Sequence, residues 1–131
     1  MKRIALLLCL LLLTLSACQS LSEKRQSTQL EDTLRNYEAM VRWGDLSQVQ
    51  QFASAGPDDA VQHVTPGLRV TGYQVVQGPS LLDPEHAVQT VIIEYVFEST
   101  QQVREVVDRQ VWHYDPETQS WSRQSPLPDF R

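Results

Sequence analysis

Few side chains in this 131-residue chain are of types that do chemistry, and their spacing narrows them further. The only cysteines are Cys9, inside a long apolar run, and Cys18, directly after the small residues Ser16 and Ala17 at the end of that run. The histidines, His63, His86 and His113, have no second histidine three to five residues away, a spacing that speaks against zinc. They read as surface or rim residues. Asp58-Asp59 and Asp83-Pro84-Glu85 lack the spaced oxygen ligands of a calcium loop and read as solvated acidic turns. Neither a metal nor a cofactor is expected. The sequence holds no glycine-rich phosphate loop and no serine nucleophile elbow. Trp43, Tyr73, Tyr95 and Trp112 are aromatic enough to line a ligand pocket, but at these spacings such residues more often build core.

The segment that positions Cys18 explains it. Lys2 and Arg3 make a basic start, Ile4 to Leu15 is almost unbroken Leu, Ile and Ala, and Leu15-Ser16-Ala17-Cys18 follows. The apolar run falls short of the roughly 20 residues that cross a bilayer, and small residues sit where a peptidase would cut, so residues 1–17 read as a secretory signal. The order basic start, apolar run, small pair, cysteine resembles the signal and lipobox of bacterial lipoproteins. That resemblance implies that Cys18 becomes lipid-modified and, after cleavage, the new N-terminus. It also implies sorting by the next residue: Gln19, in place of the aspartate that favours inner-membrane retention, points to the outer membrane with the domain in the periplasm.

Removing residues 1–17 leaves 114, enough for one domain with a modest core. With Cys9 lost and Cys18 lipidated, no disulfide or thiolate metal site remains for that domain. The formal charge of −5 becomes about −7 once Lys2 and Arg3 are gone, a poor match for nucleic acid or an anionic lipid surface. Membrane attachment is therefore assigned to the lipid, since acyl chains contribute roughly 0.8 kcal/mol per buried methylene.

Residues 18–27, the lipidated cysteine and a polar stretch without apolar periodicity, read as a flexible tether, and 28–131 as a single domain. Thr28 and Glu31 have the spacing of a capping box, and Leu30, Leu34, Tyr37 and Val41 recur at helical spacing. Gly44 is expected to stop this helix in a left-handed conformation, and Asp45 to cap a second one burying Leu46, Val49, Phe52 and Ala53 before Ala55-Gly56-Pro57. Asp58 is expected to cap a short turn through His63, and Pro66-Gly67 to turn the chain. Beyond it, Leu68 to Val76 alternates as a strand with a slip near Gly72, Gly78 to Glu85 reads as a loop, and Val88 to Glu98 as a strand with Val91, Ile93, Tyr95 and Phe97 on one face. Val103 to Tyr114 and Ser120 to Gln124 complete a meander in which Trp112 and Trp121 are placed to pair across the last hairpin. The pattern is that of an α+β domain, N-terminal helices packed on a curved antiparallel sheet of about four strands.

This order, with the tyrosine-bearing helix ending in Trp43-Gly44-Asp45-Leu46 and the hairpin carrying Trp112 and Trp121, resembles the nuclear transport factor two-like superfamily of cone-shaped domains, over roughly Thr28 to Arg123. Other helix-on-sheet folds, such as cystatin-like ones, share the string of elements. The superfamily spans isomerases, dehydratases, transport factors and accessory domains, so the fold does not select a function. Its isomerase-like members place an acid or base and a hydrogen-bonding tyrosine in the cone, and Tyr37, Tyr95, Asp108 and His113 are the residues of those types here. A pocket would draw on Tyr37, Trp43, Tyr95, Asp108 and Trp112. Two functions follow as expectations. One is a non-catalytic envelope lipoprotein that binds a protein partner or a small apolar ligand; the alternative is a small isomerase- or dehydratase-like enzyme.

Overall fold

A computed structural model describes the backbone of residues 1–44, 46–53 and 66–131, and the side chains of all of these except 2–19. The order of elements is a long helix α1 (Lys2–Trp43), a 3-10 helix (Leu46–Phe52) and strands β1 (Leu68–Asp83), β2 (His86–Phe97), β3 (Arg104–Asp115) and β4 (Ser120–Arg123). The strands form one antiparallel sheet in sequence order, curved and open, with the helix against one face. This is the expected α+β arrangement.

The helical stripe folds as its spacing predicts: Leu30, Leu34, Tyr37 and Val41 are all buried against Ala87, Val91 and Ile93 of β2, Trp112 of β3 and Trp121 of β4. Burying each such side chain stabilises the fold by about 1.5 to 3 kcal/mol. The helix does not begin at Thr28, however. It runs through Ser20 to Ser27, and Thr28 donates its hydroxyl back to the Lys24 carbonyl at 3.0 Å rather than capping a free end. No glycine or proline interrupts that polar stretch, and its Gln26 is held to the sheet from both sides. Its side chain donates to the Pro84 carbonyl, and its own carbonyl accepts from Trp121 Nε1 at 3.1 Å.

Gly44 does end the helix, but in an extended conformation (φ −93°, ψ −174°), with its N–H still bonded to Met40 O at 2.9 Å. Glycine is needed there for space rather than handedness: a Cβ would lie 2.5 Å from Met40 Sδ and 2.7 Å from Met40 O. The following element is a 3-10 helix that buries Leu46 and Val49, leaving Phe52 half-buried and Ala53 exposed. Asp45, Ala55-Gly56-Pro57, the Asp58 to His63 turn and Asp58-Asp59 lie outside the described residues.

Gly67 makes its turn with φ +81°, and the register of β1 against β2 slips between Val70 and Gly72, as the alternation implies. Gly78 to Glu85 is not a loop. β1 continues to Asp83 through further register slips and closes on β2 by a two-residue turn, Pro84-Glu85, in which Asp83 Oδ1 accepts from the Glu85 N–H at 2.8 Å. Pro79 is tolerated because β1 is an edge strand whose outer side needs no donors. Trp112 and Trp121 share a hairpin without facing each other. The register sets Trp112 opposite Arg123 and Trp121 opposite Tyr114, so Trp121 packs on Tyr114 (5.3 Å between rings) and Trp112 edge-on against Tyr37 (5.3 Å).

Candidate functional site

β2, β3 and β4 turn alternate residues toward the helix, and not all of these are apolar. Gln89, Asp108, Gln110 and Arg123 are buried among them, each 4 % exposed or less. Arg123 reaches back along the sheet to Asp108, with Nη2 donating to Oδ1 at 2.6 Å and Nη1 to Oδ2 at 2.9 Å. Its remaining donors go to the carbonyls of Ser125 (2.9 Å) and Pro126 (2.7 Å) and to the Tyr37 hydroxyl. Gln110 joins the other side of the node: its Nε2 donates to Asp108 Oδ2 (2.9 Å) and Tyr73 OH (3.0 Å), while its Oε1 accepts from Trp112 Nε1 (3.2 Å) and Gln89 Nε2 (3.3 Å).

The electrostatics follow from this closure. Burial pushes the Tyr37 phenol well above its ordinary range, with the Arg123 charge only partly offsetting it. Burial likewise pushes Tyr73 up to about 12, against the hydrogen bond from Gln110. For Arg123, burial is the largest influence and acts to lower its pKa, but the hydrogen bonds to Asp108 together with the charge interactions with Tyr37, Asp108 and Tyr73 outweigh it, and the guanidinium stays charged above its usual range. Both phenols are therefore neutral at ordinary pH. A general base must reach the proton it takes, and Asp108 has both oxygens engaged and is 2 % exposed. The node holds charge in place rather than moving it.

Of the expected pocket residues, Tyr37, Asp108 and Trp112 converge at this node. Tyr95 is buried elsewhere: its hydroxyl donates to the Arg131 carbonyl at 2.7 Å and accepts from the Arg131 N–H at 3.1 Å, with Phe130 edge-on at 5.1 Å. Trp43 stands outside, 80 % exposed, beneath the Arg42 guanidinium. Arg123, Gln89 and Gln110 were not signalled by any motif. The available signal was alternation, since Arg123 follows Trp121 by two residues and Gln110 lies between Asp108 and Trp112 on one face.

His86 and His113, isolated in sequence, are cross-strand neighbours with ring centroids 5.1 Å apart. His86 Nδ1 sits 2.9 Å from both oxygens of Asp83, and His113 Nε2 4.0 Å from Glu85 Oε2. Hydrogen bonds from the Glu85 N–H and then from His86 lower the pKa of Asp83. Among the described residues no group of three His, Cys, Asp or Glu side chains is arranged to hold a metal ion.

Open clefts flank α1. One of about 640 Å³ lies beside Met40, Trp43 and Phe52, one of about 400 Å³ between Leu34, Glu38 and Val75, and one of about 250 Å³ between Gln26 and Leu81–Pro84. The chain matches no protein-family model, no curated protein and no solved structure.

Proposed function

We propose that this chain is a lipoprotein precursor, cleaved before Cys18, acylated on that cysteine and held at the periplasmic face of the outer membrane, where its domain acts as a non-catalytic binding or interaction module. The observation that carries the reading is the ordered start: Lys2-Arg3, the apolar run and Leu15-Ser16-Ala17-Cys18. The state of Asp108 supports the non-catalytic part, because this carboxylate, the one that is buried among the described residues, is neutralised by Arg123. Kinship with cone domains belongs to the same proposal, supported by a helix lying against a curved four-stranded sheet.

Growth with an alkyne fatty acid tests the anchor. The wild type should take up label and Cys18→Ala should not; label on the variant, or none on the wild type, overturns it. Density-gradient separation of the two membranes tests the sorting implied by Gln19. Crosslinking in intact cells followed by purification tests the binding role: recovery of a small molecule and no protein would count against a protein partner.

A further inference from the structure

We infer that the Leu81-Leu82 tip of the β1–β2 hairpin rests in the phospholipid surface to which the chain is anchored, so that the domain is seated against the bilayer in one orientation. This rests on the lipoprotein reading of Cys18. It is carried by where the sheet clamps the helix. Gln26 is fixed to the Pro84 carbonyl of one hairpin turn and to Trp121 beside the other. From Gln26 back to Ser20 the chain is helical, which spans about 9 Å at 1.5 Å per residue. The two residues from there to Cys18 add at most about 7 Å. The lipidated residue thus lies within about 16 Å of the Gln26 backbone, whose side chain bonds the hairpin turn, even if those two residues are extended.

At that end of the domain the surface changes character. Leu81 and Leu82 are 55 % and 64 % exposed, and Leu21, on the clamped helix, is 67 % exposed. Adjacent exposed leucines at a hairpin tip lose apolar surface to water unless something covers them. The carboxylates of Glu23, Asp83 and Glu85 border the tip, so the headgroups it meets are uncharged overall, and the carboxylates stay in the aqueous layer while the leucines enter. Shallow insertion of this kind suits an element that is already held near the surface, since the lipid on Cys18 provides the affinity and the leucines only set the angle.

The test uses the mature, membrane-extracted lipoprotein with one new thiol. Acylation of Cys18 leaves no other cysteine, so Leu82→Cys can be labelled alone with an environment-sensitive fluorophore, and Val103→Cys, 66 % exposed at the opposite end of the sheet, serves as the reference. Intact mass reports the acyl chains, and iodide quenching is measured after reconstitution into phosphatidylcholine vesicles. The expected result is an acylated mass with quenching at position 82 reduced severalfold relative to position 103, and equal quenching at both in detergent-free soluble domain lacking the lipid. An acylated mass with equal quenching in vesicles overturns the seating and leaves the lipoprotein reading intact. An unacylated mass overturns both.

Discussion

Asp108 and Arg123 are joined by two hydrogen bonds, at 2.6 and 2.9 Å, although the strand register sets Asp108 opposite Val91 and Arg123 opposite Trp112. The long guanidinium side chain spans the offset, and both groups are almost wholly removed from water. Removing one partner of such a pair leaves a buried charge, which costs about 3 to 5 kcal/mol, whereas replacing both with apolar groups of similar volume is often neutral or better. Arg123→Met should therefore lower the urea midpoint sharply, and Asp108→Leu combined with Arg123→Met should recover most of the loss. A single variant as stable as the wild type would show that the pair is not buried in solution.

Alkaline pH should weaken the fold through Tyr73. Its folded pKa, near 12, lies above the ordinary value of 10, so the stability it contributes is complete below pH 10 and is lost as pH rises from 10 through 12. Burial raises Tyr37 as well, which extends the decline to still higher pH. Denaturation midpoints measured across that window should fall, and Tyr73→Phe should flatten the first part of the fall. A midpoint independent of pH up to 12 would contradict the burial of Tyr73.

The tryptophans divide into one exposed and two buried: Trp43 at 80 %, against Trp112 at 0 % and Trp121 at 5 %. Trp43→Phe should shift the fluorescence maximum to shorter wavelength while changing stability by less than about 0.5 kcal/mol, as expected for a surface position. Trp112→Ala should instead cost about 3 to 5 kcal/mol, since it opens a cavity against Tyr37 and removes one of the two hydrogen bonds that Gln110 Oε1 accepts. A red shift on removing Trp43 would mean that its side chain is covered.

Gly67 tests backbone conformation separately from space. Its φ of +81° is unfavourable for a residue with a Cβ, yet the nearest atom to an added Cβ is 3.7 Å away on Glu98. Gly67→Ala should cost about 1 kcal/mol with no change in spectrum, and Gly67→Asn less, because asparagine tolerates the left-handed region better. Equal losses for both would point to crowding instead.

Much of the framework could be read from local pattern. Leu30, Leu34, Tyr37 and Val41 announce a helix with one buried face, and the slip at Gly72 shows in the alternation of β1. The true start of the helix is not legible in the sequence, because the polar residues before Thr28 bury no stripe. They are held by Pro84 and Trp121, partners distant in sequence. The extension of β1 to Asp83 was hidden for a related reason: proline and glycine ordinarily break strands, but an edge strand tolerates both. At the candidate site, Tyr37, Asp108 and Trp112 could be named from residue type. Arg123 could not, because which guanidinium meets which carboxylate depends on the register of the β3–β4 hairpin and on side-chain reach.

Gln110 uses all of its amide: two bonds donated from nitrogen and two accepted at oxygen, with no exposure to water. A two-residue slip between β2 and β3 would preserve the alternation of inward apolar residues and so carry little hydrophobic penalty. It would, however, place Gln110 opposite Ala87 or Val91 in place of Gln89, and Asp108 opposite Gln89 or Ile93. The polar node thus acts as a proofreading device for strand pairing: the oily residues accept several alignments, and the amide accepts one.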